Sequence, residues 1–316
     1  MVKVGACPAG WYDSAAMVTP RYGEYDAGTP EARKAIHEQN RKSWNEATKA
    51  HNSHKADQAK FFREGGNKLD FEEFEVLGDL RGKSVLHLQC NSGQDTLSIK
   101  QSGAEQVAGV DISDEAIEFA RGLSRDSGVE ATFYRADVYD WLAAESAGDR
   151  RWDVVFCSYG AIIWLSDLGT WAKHIASILK PGGHFATVEF HPVEMMFDEE
   201  CQHKYHYSTH GRPITWDDGV GDYIAFAGPS SAPSGWQEGV QGFQNPEIVH
   251  EFAWGLSEII TALLDAGLVL EHFREFDHAA HKLYNRMVDL GGGKWALPAD
   301  VPSFPLMYSI AARKPA

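Results

Sequence analysis

The stretch VLHLQCNSGQD, residues 85–95, decides the fold of this 316-residue chain. A short apolar run, VLHLQC, ends in polar residues around a single glycine. The segment SGQDTLSIKQSG then has the makings of a helix that stops at Gly103. A strand that feeds a tight turn and then a helix points free backbone N–H groups at whatever binds there. Such turns usually carry two or three glycines, and this one has only Gly93. Gly93 supplies one left-handed or close-approach position. Asn91 is of the residue type next most tolerant of positive φ. The turn is therefore feasible with one glycine and one asparagine. Taken alone, an ordinary β–turn–α connection reads the stretch equally well.

Working outward, the pattern alternates. EQVAGVDIS reads as a second strand, and SDEAIEFARGLSRDSG as a helix with Ser113 at its N-cap and an apolar stripe at Ile117, Ala120 and Leu123. ATFYRADV is a third strand and WDVVFCSYG a fourth. LGTWAKHIASILKPGG is a helix closed by Pro181 and glycines, and HFATVEFHP is a fifth strand. Regular alternation of this kind predicts an α/β fold, a parallel sheet covered on both faces. Upstream, Pro30 to about Phe62 is helical in composition, with Thr29 as N-cap, and FEEFEVLG (71–78) is a second helix. Residues 192–250 break the pattern, being dense in His, Tyr, Trp, Gly and Pro. HEFAWGLSEIITALLDAG then reads as a helix, LVLEHFREFD as a strand and FPLMYSIAARK as the last strand. The 192–250 stretch is expected to be a cap inserted into one domain, since long irregular segments in compact domains are usually functional.

Composition excludes several classes. Apolar residues make up 43% and aromatics 12%, as in a globular domain. A net charge of −16 argues against a nucleic-acid partner and against an anionic membrane surface. No apolar run approaches a membrane span. MVKVGACPAGWYDS lacks the apolar core of a secretory leader. Cys7, Cys90, Cys157 and Cys201 are scattered and form no CxxC pair, which suits a reducing cytoplasm and gives no metal site. LGDLRGKS has a phosphate-loop look, but its glycines are one residue too close and it precedes a strand.

Two carboxylates at strand ends sharpen the reading. Asp111 ends GVD eighteen residues after Gly93, where an acid can take both hydroxyls of a ribose. Asp137, in ADVYDW at the end of the third strand, can accept from an exocyclic amine of adenine. The ordered set VLHLQCNSG, GVDIS, ADVYDW, WDVVFCSYG and LKPGGHFATVEF resembles a class I S-adenosylmethionine-dependent methyltransferase. The LKPGG turn is a marker of that family, and FPLMYSIAARK is similar to its last, antiparallel strand. HLQC, EFHP and SWNEATKAHNS resemble a bacterial small-molecule subgroup, to which methionine S-methyltransferases also look similar.

The resemblance implies a Rossmann-like seven-stranded, mostly parallel sheet. It divides the chain into a helical lid (1–70), a cofactor-binding domain (71–191 and 251–316) and a substrate cap (192–250). It implies that S-adenosylmethionine lies against Gln89, Asn91 and Gly93, with its ribose on Asp111 and its adenine between Ile112, Asp137 and Val138. Ser158 and Tyr159 would line the sulfonium, and Trp44 and His51 would close the site from above. His87 stands where the family usually has an acid, and Gln89 and Asn91 where it has glycines. Asn91-Ser92 departs from the subgroup's His-Phe, which leaves the turn's contacts open. For the chemistry, Glu189 and His191 share a strand face as candidate base or acceptor anchor, with Tyr159 beside them. Trp164, Tyr205, Tyr207 and Trp216 are candidate aromatic walls, and Arg212 could pair an acceptor carboxylate. The acceptor is expected to be a small molecule, either methionine's thioether or the O, N or C atom of a natural-product metabolite. A nicotinamide oxidoreductase would share Asp111 but needs a GxGxxG turn. A methyltransferase-like protein without activity would explain the missing glycines. The 1–70 segment has apolar and aromatic residues to spare for a homodimer.

Overall fold

The computed structural model describes residues 19–25 and 27–316; Cys7 and the start of the 1–70 segment lie outside them. A seven-stranded sheet forms the centre. Its strands are β1 (Ser84–Leu88), β2 (Gln106–Asp111), β3 (Thr132–Arg135), β4 (Trp152–Ser158), β5 (Leu179–Phe190), β6 (Val269–Phe276) and β7 (Met307–Arg313). Their spatial order is 3-2-1-4-5-7-6. Strands β1 to β5 pair in parallel, and β7 runs antiparallel to both β5 and β6. The expected Rossmann-like, mostly parallel sheet is therefore what the chain builds.

Nine helices are present among the described residues: α1 (Pro30–Ser53), α2 (Gln58–Arg63), α3 (Phe71–Leu77), α4 (Gln94–Gln101), α5 (Asp114–Ser127), α6 (Val138–Ala147), α7 (Leu168–Ile178), α8 (Tyr223–Ala227) and α9 (Leu256–Asp265). Strand alternation feeds two apolar layers. Leu86 and Leu88 join Val155, Trp171 and Ile175 on one face. Val85 joins Val76, Leu77 and Phe156 on the other. Burying both faces supplies the main driving force.

Four boundaries differ from expectation. Residues 30–62 form two helices, broken after Ser53, not one run. Helix α6 was not foreseen: Asp137, read only as a ligand residue, also caps it by accepting from the Tyr139 N–H at 2.8 Å. β5 begins at Leu179, so the LKPGG turn is strand rather than helix end. The helix expected from His250 starts only at Leu256, because Val249–Glu251 is instead a strand beside Ile214–Trp216.

That small strand explains how the irregular stretch stays folded. Helix α1 turns a polar face inward and uses it as a hydrogen-bonding edge. Asn40 donates to the His250 carbonyl at 2.7 Å and accepts from the His250 N–H at 2.8 Å. Asn245 donates to the carbonyls of Ser43 and Val220, each at 3.0 Å. Ser43 accepts from the Val220 N–H at 2.9 Å. Backbone that lacks a ladder is thus satisfied by side chains, as buried backbone requires.

Asn40→Leu keeps the size of the side chain but strands a buried N–H and a buried carbonyl of His250. The expected cost is about 3 kcal/mol, read as a lower urea midpoint with an unchanged slope.

Candidate active site at the carboxyl edge of the sheet

The strand order reverses beside β1, between β2 and β4. Such a switch point opens a crevice at the carboxyl ends of the strands. A cavity of about 760 Å3 lies there, within the range that takes small ligands and cofactors.

The floor is the turn after β1. Gln89, Asn91 and Gly93 all adopt positive φ, at 53°, 47° and 79°. Two non-glycine residues in this region store strain, and each is held by specific bonds. The Gln89 amide donates to the Ala161 carbonyl at 2.7 Å. The Asn91 N–H donates to Asp111 Oδ2 at 2.8 Å, and Asn91 Oδ1 accepts from the Ser92 N–H at 2.7 Å. Gly93 is needed twice over: a Cβ there would come within 2.8 Å of Ala120 and of the Phe133 ring. One glycine suffices because the other two positions are braced.

The carboxylates are also placed by bonds. Asp111 takes the Asn91 N–H on one oxygen and the Ser113 N–H, at 2.8 Å, on the other. Each oxygen keeps acceptor capacity beyond these bonds, and Asp111 lines the cavity. Ser113 caps α5, as expected. Asp137 is held by His37 from α1 at 2.6 Å, and His37 in turn contacts Ser166 at 2.9 Å. Ile112, Val138 and Ser158 line the same wall.

Trp44 and Trp164 stand edge to face at 5.4 Å, and both line the cavity with Trp216. The Trp216 indole donates to Glu251 Oε2 at 2.8 Å. Glu251 also lines the cavity, and burial pushes its carboxyl up to about 7. Sequence reasoning missed Glu251 because it was assigned to a helix.

Other expected site residues are placed elsewhere. Glu189 lies under the loop after β4, where its two oxygens accept the N–H groups of Gly160, Ala161 and Ile162 at 2.5–3.1 Å. It shapes the loop and does not face the cavity, so it offers no free base. His191 is committed on both nitrogens, to Glu275 at 2.9 Å and to the Val193 N–H at 3.1 Å. Of the three expected catalytic groups, Tyr159 alone lines the cavity. His51 sits behind the wall, donating to the Gly221 carbonyl at 2.9 Å. Tyr205 packs on the back of Trp216 at 5.4 Å. The Tyr207 hydroxyl accepts from the Leu256 N–H at 3.1 Å. Arg212 faces a separate outer cleft of about 900 Å3 that none of the strand-end residues line.

Residues 85–183 match the family model of a methyltransferase domain. This part of the chain is therefore similar to a methyltransferase domain. S-adenosylmethionine is the cofactor such a domain implies, and the residues at this edge fit that group. The buried Gln89 Oε1 has no partner among the described residues and can accept from an ammonium. Asp111 keeps acceptor capacity for two hydroxyls.

A ubiquinone biosynthesis O-methyltransferase of Bordetella avium is 32% identical over 125 residues, 39% of this chain and 50% of that one. A methyltransferase of Streptomyces halstedii, GfsG, is 26% identical over 128 residues, 40% of this chain and 44% of that one. The chain thus spans about half the length of the curated relatives it matches. The CcbJ methyltransferase of Streptomyces caelestis superposes with a TM-score of 0.52 over 88% of this chain and 99% of that one, at 13% identity, which supports the shared fold.

Two predictions follow from this geometry. Gly93→Ala combines a left-handed backbone with overpacking, so it should cost about 3 kcal/mol and weaken S-adenosylhomocysteine binding at least tenfold by calorimetry. The Glu251 carboxyl is raised in the folded state, so wild-type stability should fall as pH rises from about 4.5 through about 7. Glu251→Gln removes that proton linkage. Its melting temperature relative to wild type should therefore climb between pH 5 and 8 in parallel thermal scans.

Proposed function

We propose that this chain transfers a methyl group from S-adenosylmethionine to a small molecule held in the same cavity beneath residues 192–250. The observation that supports it most is the continuity of the cavity. It is lined both by the turn of residues 89–91 with Asp111 and Asp137 and by Trp216 from the capping region with Glu251 just beyond it. S-adenosylmethionine supplies a methyl on a sulfonium, which an acceptor atom takes in line as the C–S electron pair returns to sulfur. The chain's own part is to align the acceptor, exclude water and accept a proton.

An oxygen acceptor is the better reading. The Bordetella relative is named for O-methylation. Glu251 is the group we assign to the acceptor's proton. One of its oxygens is fixed by Trp216, the other is uncommitted, and its affinity for a proton lies near neutrality. Methionine's thioether, which needs no base, is the second reading. The three tryptophans around the cavity favour it, because aromatic faces stabilise a new cation.

The test is incubation with S-adenosylmethionine carrying an isotopically labelled methyl group and a pooled panel of phenols, amines and amino acids. Label in a hydroxyl acceptor, with turnover that rises through about pH 7 and flattens in Glu251→Gln, is the expected result. Labelled S-methylmethionine with no effect of Glu251→Gln would replace it by the thioether reading.

A further inference from the structure

The cavity opens between two segments that barely touch. One is α8 in the capping region; the other is the insert of residues 277–306 between β6 and β7. Tyr223 and Ile224 of α8 line the cavity, as do Ala280, His281, Gly292 and Gly293 of the insert. Tyr223 is also 38% exposed, so it stands where the cavity meets solvent. Two ring contacts cross the opening. The Tyr223 and His281 rings stack at 6.3 Å, and Lys282 Nζ lies 5.7 Å from the centre of the Phe226 ring. Among the described residues no hydrogen bond or ion pair joins 218–240 to 278–296. Each segment is fastened on its far side instead. Asp222 bonds His54 at 2.9 Å, and Glu72 of α3 holds both His278, at 2.9 Å, and Lys294.

The rim of this opening is more apolar than its own folding requires. Tyr223 and Phe226 are three residues apart on α8 and share the face that meets the insert. The helix is seated by Ile224 and Ala227, which are buried, while Phe226 is 41% exposed. In the insert, Val288–Gly291 and Lys294–Ala296 form a hairpin with Gly292 and Gly293 at its tip. Both tip glycines have positive φ, 63° and 78°, as a two-residue turn requires. Val288 and Leu290 lie on the strand that leads to this tip, and Leu290 is 60% exposed. The core of the insert is built from Ala279, Tyr284, Met287 and Leu306, so Val288 and Leu290 add nothing to it. Asp289 between them sets the turn, accepting from the Gly291 N–H at 2.7 Å. One exposed leucine is ordinary, but several large apolar side chains beside the mouth of a cavity mark a binding surface.

We propose that this rim holds an apolar chain borne by the methyl acceptor, whose reactive end lies inside the cavity. The acceptor is then amphipathic, with a polar head at the strand ends and a hydrocarbon tail between Phe226 and the 288–293 hairpin. This deepens the methyltransferase reading and rests on it for what the ligand is. The strand-end lining of Gln89, Asp111 and Asp137 is unsuited to such a chain, which would strip those groups of water and return no hydrogen bond. At the rim the chain stays partly open to solvent. Each methylene should therefore gain about half of what full burial gives, about twofold in affinity.

The experiment is calorimetric titration of the intact protein, with and without saturating S-adenosylhomocysteine. The probes are two pairs, 4-ethylphenol with 4-hexylphenol and ethylamine with hexylamine; each pair shares a head group and differs by four methylenes. The expected result is at least tenfold tighter binding of the longer member in at least one pair. In the double variant Phe226→Ser, Leu290→Ser the gain should shrink below threefold, with affinities for the ethyl probe and S-adenosylhomocysteine unchanged. Phe226→Leu with Leu290→Met should keep the gain. No gain in either pair in wild type overturns the rim. So does a gain that survives in the serine double variant, because the chain then binds elsewhere. If the double variant loses S-adenosylhomocysteine as well, Leu290→Ser alone, at the more exposed position, decides: a reduced gain supports the rim and an unchanged one overturns it. A wild type that shows the chain-length gain but binds no S-adenosylhomocysteine overturns the methyltransferase reading and leaves the rim standing.

Discussion

The bond from the Asn91 N–H to the Asp111 carboxylate, 2.8 Å long, is the joint on which this structure turns. It ties the end of β1 to the end of β2 and helps hold Asn91 in its left-handed conformation. With it, the carboxylate that faces the cavity is oriented by the same backbone that forms the floor. Ser113 completes the arrangement by taking over the capping of α5, which leaves Asp111 free for the turn.

A second set of bonds performs the matching task on the opposite side. Helix α1 is buried on a face made of His37, Asn40, Ser43, Thr48 and His51. Asn40 and Ser43 bond the backbone of His250 and Val220, and His51 bonds the Gly221 carbonyl. The Asn40–His250 pair and the Asn245 bridge set the height of the 218–222 and 245–251 segments over the strand ends. The same helix holds Asp137 through His37. Floor and roof therefore share one element, and the distance between them is set by hydrogen bonds. Such contacts are more direction-specific than apolar packing and less tolerant of sliding.

How much of this was legible in the sequence follows from the range of the interactions. The central strands, such as SVLHL and WDVVFCS, are short and mostly apolar because both faces are buried, and they could be read directly. The turn and the two acids sit at fixed places in successive strand–helix units, so Gln89, Asn91, Asp111 and Asp137 could be named. Helix α6 was hidden because the residue that caps it had been given another role. Val249–Glu251 was hidden because three residues have no periodicity and depend on Asn40, more than two hundred positions earlier. Glu189 was misassigned because strand alternation shows which face a side chain takes, and cannot show that three loop N–H groups wait there. Lys55, Tyr223, His281 and Glu251 come from four distant segments, and only the tertiary fold brings them to one cavity.

The electrostatics of that cavity separate it from the rest of the molecule. The chain carries a net charge of −16, yet burial shifts three groups in its cavity toward their neutral forms. Glu73 is raised to about 8, Glu251 is raised to about 7, and Lys55 is lowered to about 7. Each neutral form spares the desolvation of a charge that has no partner. Each also makes the cavity responsive, since a ligand of matching charge restores the ionised form and moves a proton to or from solvent. A surface carboxylate or lysine, already ionised and hydrated, lacks this coupling. A sulfonium bound in the cavity would favour the ionised, proton-accepting form of Glu251. The same cation would oppose a protonated Lys55 unless an anion lay between them. The two ends of the cavity therefore constrain each other, because a cation bound near Glu251 disfavours the charged form of Lys55.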